Sequence, residues 1–382
     1  AIEKHIAEGQ REILIAMATG TGKTRVALGL MYRAIKYSRF RRILFLVDRE
    51  ALGLQAAEVF QNVKIESHSS LNDIYDVKEL GDRFPDSDTR IHIATVQGMV
   101  RRLLYKSTDD ETLPIDSYDC IVVDECHRGY TLDLNLSDEE LIFRSERDYI
   151  SKYRRVLDYF DAVKIGITAT PALHTTEIFG RPVFNYSYRQ AVIDNYLVDH
   201  EPPIRIITKL SEEGIHWKRG EEIKQLNPVT GKIDLAVTPD EIDYDIDSFN
   251  SRVITEKFNK TVCNELANHI DPALPGKTLI FCVNDKHADL VVYLLKLAFK
   301  DRYGQVEDDA VMKITGSVDD QKKLIRLFKN EELPKVAVTV DLLTTGIDVE
   351  EIVNLVFIRR VKSRILFEQM LGRATRRCDD LY

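Results

Sequence analysis

Two α/β units in tandem, each a doubly wound parallel sheet flanked by helices, are what this sequence predicts. Three observations predict it. Short aliphatic and β-branched runs alternate with helix-period stretches, that pattern occurs twice, and between the two occurrences, from about Pro202 to Asn250, the periodicity fails. The length of 382 residues is enough for two or three domains that each bury a core.

The elements follow in order. Ile2, Ile6 and Ala7 mark an amphipathic helix, and strands are expected at Ile13 to Met17, Ile43 to Val47, Ile91 to Ala94, Cys120 to Val123 and Val163 to Ile167, with a helix over Arg25 to Ile35 after the first. The second series has a strand at Thr278 to Val283, a helix over Asp285 to Phe299, and strands near Val311 to Ile314, Val336 to Val340 and Leu355 to Ile358. This divides the chain into a first domain over 1–200, a linker or insert over 201–250, and a second domain over 251–382 that is cut short at its C-terminus. The start without Met and the stop soon after an arginine cluster read as a segment of a longer protein. In the linker, Asp240 to Asp247 holds five acids in eight residues. It lacks the glycine and spacing of a calcium loop and reads as a solvated face.

Composition removes several classes. With 44% hydrophobic and 30% charged residues the chain is neither disordered nor collagen-like. Five cysteines, an odd number without a C-x-x-C pair, suggest neither a disulfide framework nor a zinc cage, and a reducing cytoplasm is the expected location. No apolar run approaches the roughly 18 residues of a membrane span, so no membrane partner is expected. A net charge of −9 argues against coating nucleic acid by bulk charge and leaves a local basic groove open.

The chemistry begins after the first strand, where Ala18-Thr19-Gly20-Thr21-Gly22-Lys23-Thr24 leads into a helix. Glycines let the backbone turn its N–H groups and the helix N-terminus toward an anion, Lys23 reaches β- and γ-phosphates, and the Thr24 hydroxyl is placed to ligate Mg²⁺. Thr19, Gly20, Thr21, Gly22, Lys23 and Thr24 are therefore the candidate nucleotide-phosphate-binding residues. The strict phosphate-loop pattern wants Gly where this chain has Met17. The partner motif is Ile121-Val122-Val123-Asp124-Glu125-Cys126-His127, two acids at a strand end. Asp124 is the candidate metal-side carboxylate and Glu125 the candidate base for the attacking water. His127 is a candidate bridge between the ATP site and the second domain.

Near the C-terminus, Gln369 to Arg376 places Arg373 and Arg376 three apart, on one face of a helix or turn. From Arg359 to Arg377 there are seven bases and one acid, Glu368. Arg373 and Arg376 are candidate arginine fingers, which neutralise charge on a transferring γ-phosphoryl group. With the fingers on a different domain from Lys23, hydrolysis requires the two domains to close on ATP. Such a cycle of closing and opening drives a motor along a track.

Taken in chain order these pieces resemble the superfamily 2 helicases and translocases, whose fold is two tandem RecA-like doubly wound domains. Met17 to Thr24 resembles motif I, Leu46 to Arg49 motif Ia, and Ala94 to Gln97 a nucleic-acid-contacting motif. Asp124 to His127 resembles the DEAD/DEAH box, with Cys126 where those names have Ala. Thr168 to Pro171 resembles motif III, Leu279 to Asn284 motif IV, Val338 to Asp348 motif V, and Gln369 to Arg376 motif VI. The resemblance implies DNA contacts at Arg49, Thr95, Gln97 and Thr344, coupling of hydrolysis to the track through Thr168 and Thr170, and nucleotide contacts at Gln369, Gly346 and Asp348. Glu125 to Tyr130, Phe143 to Tyr149 and Asp161 to His174 are similar to the restriction (motor) subunit of type I restriction-modification enzymes. That resemblance implies an ATP-driven, Mg²⁺-dependent duplex-DNA translocase working with methyltransferase and specificity subunits. Its DNA cleavage domain lies outside these residues. The alternatives are a strand-separating DNA or RNA helicase and a nucleotide-switched scaffold without turnover. The scaffold would have lost Glu125 or Arg376, and both are present.

Overall fold

The computed structural model describes residues 1–48, 50–105, 113–126, 146–171, 173–208, 255–318, 320–340, 349–361, 364–379 and 381, and four short strands within 209–254. Its first sheet has seven parallel strands: β1 (Glu12–Met17), β2 (Ile43–Val47), β3 (Asp76–Lys78), β4 (Thr89–Thr95), β5 (Cys120–Asp124), β6 (Val163–Thr168) and β7 (Pro182–Tyr186). They are arranged β3-β4-β2-β5-β6-β1-β7. The central strands are unbroken apolar runs because both faces are covered. Alternate residues feed opposite faces. Ile13, Ile15, Met17, Ile43, Phe45 and Val47 enter one core, while Leu14, Leu44, Leu46, Ile121 and Val123 enter the other.

The helices are α1 (Ile2–Ala7), α2 (Lys23–Lys36), α3 (Glu50–Asn62), α4 (Val96–Leu104), α5 (Glu146–Tyr159), α6 (Leu173–Phe179) and α7 (Tyr188–Ile193). On α2, Ala27, Leu28, Met31, Tyr32 and Ile35 repeat at helical spacing and pack on the first of those cores. The helix starts two residues before the sequence expectation, because Lys23 itself begins it.

The second sheet is also parallel, with strands β8 (Lys277–Phe281), β9 (Val311–Lys313), β10 (Val336–Thr339) and β11 (Ile352–Phe357) in the order β9-β10-β8-β11. Helices α8 (Glu256–His269), α9 (Asp285–Tyr303), α10 (Gln321–Asn330) and α11 (Arg364–Leu371) accompany it. Ile280 and Val338 face one core, Leu279, Phe281 and Ala337 the other.

Two differences from the sequence expectation have physical causes. Strand β7 escapes pattern reading because it begins with Pro182 and lies half-exposed at a sheet edge, so it lacks the unbroken apolar run of the central strands. The region read as a linker carries two antiparallel strand pairs, Ile215–Trp217 with Ile242–Tyr244 and Glu222–Leu226 with Ile233–Val237. Runs of three to five residues are too short for the alternation to stand out. Among the described residues no helix is long and apolar enough to cross a membrane. All five cysteines are free and buried.

Candidate nucleotide site at the carboxyl edge of the first sheet

Parallel pairing sends the loops after β1, β5, β6 and β7 to one edge, where ligands of open α/β sheets bind. The loop after β1 is pinned at its base, with Ala18 N–H donating to the Tyr186 carbonyl at 2.9 Å and the Thr21 hydroxyl to the Ala18 carbonyl at 2.7 Å. Gly20 and Gly22 hold φ of 87° and 84°, the left-handed region that an L side chain resists. Gly22 is the N-cap of α2 and offers no side chain there, so the first turn's N–H groups face the loop.

The acids of β5 meet this loop. Lys23 is 8% exposed, and its Nζ lies 3.3 Å from Glu125 Oε1. Thr24 Oγ1 is 3.5 Å from Asp124 Oδ2. Burial, followed by the neighbouring Glu125 charge, raises Asp124 to about 6, with Lys23 opposing. Glu125 has φ 50°, a strained setting for a glutamate. It is held on both sides: Glu125 N–H donates to Asp124 Oδ1 at 2.9 Å, and Cys126 N–H donates to the Ile167 carbonyl at 3.1 Å.

On β6, Thr168 is fully buried and Thr170 N–H donates to its Oγ1 at 3.2 Å, which folds the turn after the strand. Thr168 pairs in register with Ala16 of β1, one residue before Met17. Thr95, the last residue of β4, and Gln97, in the first turn of α4, lie elsewhere, with β2, β5 and β6 between β4 and β1. The Thr95 hydroxyl accepts Gly98 N–H at 3.0 Å and so caps α4.

The second sheet's unit completes the site. After α11 ends at Leu371 the chain turns, with Arg373 N–H donating to the Met370 carbonyl at 3.0 Å. This turn rests on the phosphate loop. A Cβ added to Gly372 would stand 2.6 Å from Thr19 Cβ, and one added to Gly20 would stand 3.7 Å from Arg376 Cγ. Burial lowers the Arg376 guanidinium from its usual value, and an arginine stays charged regardless. Gln369 is buried at the end of the preceding helix. Thr19, Gly20, Thr21, Gly22, Lys23, Thr24, Asp124, Glu125 and Arg376 thus converge, with Arg373 in the same turn as Arg376. Arg49, His127, Thr344, Gly346 and Asp348 lie outside the described residues.

Sequence reasoning missed three participants. Leu197 packs on Gly20, Gly372 admits the close approach to Thr19, and Gly166 leaves space for Cys126. Gly372, three residues after the start of motif VI, is the only one of these with a local signal.

Two RecA-like helicase domains, with the phosphate loop on the first and an arginine turn from the second, define the class of protein. Residues 1–173 match the family model "Type III restriction enzyme, res subunit", and residues 257–378 match "Helicase conserved C-terminal domain". The chain is homologous to the endonuclease subunits of type I restriction enzymes. It is 52% identical to the EcoKI endonuclease subunit of Escherichia coli (strain K12), over 100% of this chain and 32% of that protein. It is 29% identical to the EcoAI endonuclease subunit of Escherichia coli, over 97% of this chain and 42% of that protein. A fragment structure described as an HsdR subunit of a type I restriction enzyme from Vibrio vulnificus YJ016 aligns over 99% of this chain and 59% of its own, with 25% identity and a TM-score of 0.61. The chain therefore spans between about a third and two fifths of the two curated relatives.

Proposed function

We propose that this chain is the ATP-dependent duplex-DNA translocase motor of a type I restriction endonuclease subunit. The observation that carries the proposal is the packing of the Gly372–Arg376 turn of the second unit onto Thr19 and Gly20 of the first. A nucleotide on the phosphate loop then reports its state to both units, as a motor requires. The working division is a first domain over 1–200, an insert over 201–250 and a second domain over 251–382.

In this reading Lys23 is the switchable cation. Glu125 holds it at 3.3 Å, and an incoming triphosphate competes for the same ammonium. Glu125 Oε1 is thereby freed to accept a proton from water aimed at the γ-phosphorus, in a pocket already dry enough to raise Asp124. Thr24 Oγ1 and Asp124 Oδ2 converge as two hard oxygen donors, which fits a Mg²⁺ ion that keeps several waters and takes one or two protein ligands. Mg²⁺ supplies charge neutralisation at the phosphates when bound. Arg376, with Arg373 beside it, neutralises charge on the transferring phosphoryl group from the other side. Gln369, Gly346 and Asp348 complete the nucleotide contacts. His127, Thr168 and Thr170 couple hydrolysis to a track contacted by Arg49, Thr95, Gln97 and Thr344. Such contacts to phosphates carry no sequence information, so target choice falls to specificity and methyltransferase subunits. DNA cleavage is assigned to a part of the parent protein outside this chain.

The test is steady-state ATP hydrolysis with Mg²⁺ and no nucleic acid, single-stranded DNA, RNA or linear duplex DNA. Stimulation specific to duplex DNA is expected. Stimulation by single strands or RNA alone would move the assignment to a strand-separating helicase.

A further inference from the structure

We propose that the Leu197-Val198 segment is a strap by which the first unit seats the arginine turn on the phosphate loop, which makes Leu197 a positioning residue for Arg376. The inference deepens the nucleotide-hydrolysing reading above and rests on it for its kinetic consequence. The strap is anchored to the first unit at its back. Leu197 N–H and Tyr196 N–H both donate to the Ala191 carbonyl of α7, at 3.2 and 2.9 Å, and Ala191 is fully buried. The Tyr188 hydroxyl donates to the Val198 carbonyl at 2.9 Å.

At its front the strap pairs with the other unit. Leu197 and Arg376 form an isolated antiparallel bridge, and Val198 N–H donates to the Thr375 carbonyl at 2.9 Å. The Leu197 side chain is 3% exposed and fills the angle between the two partners, its Cδ2 3.1 Å from where a Gly20 Cβ would stand. Leu197 therefore touches both sides, its backbone bridged to Arg376 and its side chain packed against the loop. A guanidinium on a long flexible stem needs its backbone fixed if its charge is to land at a phosphoryl group, and backbone pairing to a buried strap supplies that. The glycines at 20 and 372, which lack the Cβ that would clash there, make the close approach possible without setting it. The strap is the part that sets it.

The experiment uses the full chain with Tyr37→Cys and Tyr293→Cys carrying spin labels. Both tyrosines are more than half exposed, one on each unit, and all five native cysteines are buried and spared. Without nucleotide the parent is expected to give one narrow inter-label distance, Leu197→Ala a broadened and longer one, and Leu197→Met the narrow one again. Tyr188→Phe, which removes the anchor's hydrogen bond and no apolar volume, is expected to broaden the distance in the same direction. A broad distribution in the parent, or an unchanged narrow one in both Leu197→Ala and Tyr188→Phe, overturns the strap. In hydrolysis, Leu197→Ala should lower kcat by roughly 10- to 100-fold with KM for ATP little changed, the range expected for ångström-scale misplacement of a catalytic group. It should add nothing to Arg376→Ala. Additive losses would also overturn the proposal. If the parent hydrolyses no ATP under any condition, the functional reading fails while the distance measurement still decides the strap.

Discussion

Gly166→Ala tests the packing behind the acidic pair. Gly166 lies on β6 between Ile165 and Ile167, and an added Cβ would meet Cys126 Sγ at 2.9 Å and Phe179 Cδ2 and Cγ at 3.1 Å. Neither neighbour has room to yield, since Cys126 is 3% exposed and Phe179 is fully buried. Overpacking of this kind costs roughly 1–3 kcal/mol, against a gain of up to about 1 kcal/mol for replacing a strand glycine. A net loss of about 1–2 kcal/mol is expected, read as a lower urea midpoint and thermal midpoint. The double variant is the discriminating one. Cys126→Ala removes the Sγ that the new methyl meets, so Gly166→Ala/Cys126→Ala should be more stable than the sum of the single changes by about 1 kcal/mol. Because Cys126 N–H is bonded to Ile167 and the preceding residue is the strained Glu125, Gly166→Ala should also lower ATP turnover, and the double variant should regain part of it. A Gly166→Ala chain as stable as the parent, or strictly additive double-variant energies, would refute the reasoning.

Lys23→Ala and Glu125→Gln should each abolish DNA-stimulated ATP hydrolysis; turnover surviving in Glu125→Gln would remove it as the base. Arg376→Ala should bind a fluorescent ATP analogue like the parent and lose on the order of 10³-fold or more in kcat, and lost binding without a kcat effect would count against the finger role. Stability should fall on acidification below pH 6.5. Burial holds His92 and His287 down to about 4, His92 between Tyr118 and the Asp82 carbonyl and His287 against Asn259. Between pH 6.5 and about 4 the unfolded chain binds protons that the folded chain refuses, so ΔG of unfolding declines across that window and levels off below it. At 1.36 kcal/mol per pH unit each histidine contributes roughly 3 kcal/mol to the decline. Urea midpoints measured from pH 7 to 4 check this, and His287→Gln should flatten the profile.

The sequence alone determined the central strands of both sheets, because a strand covered on both faces must be an apolar run, and Ile13–Met17 and Cys120–Asp124 are such runs. It also determined the phosphate loop, whose parts are consecutive, and the acid pair, which sits at a strand end by its own local pattern. Chain-order resemblance then supplied the arginines. What the sequence left open is every relation between residues far apart along the chain. Gly166 to Cys126, and Leu197 to both Gly20 and Arg376, carry no periodic or motif signal, since a contact across strands depends on register and sheet order. Leu197 reads as one apolar residue in a Tyr-Leu-Val-Asp run. Tertiary structure alone decided that it lies between the phosphate loop and the arginine turn, because only the parallel order β6-β1-β7 brings the chain after β7 back beside the loop after β1.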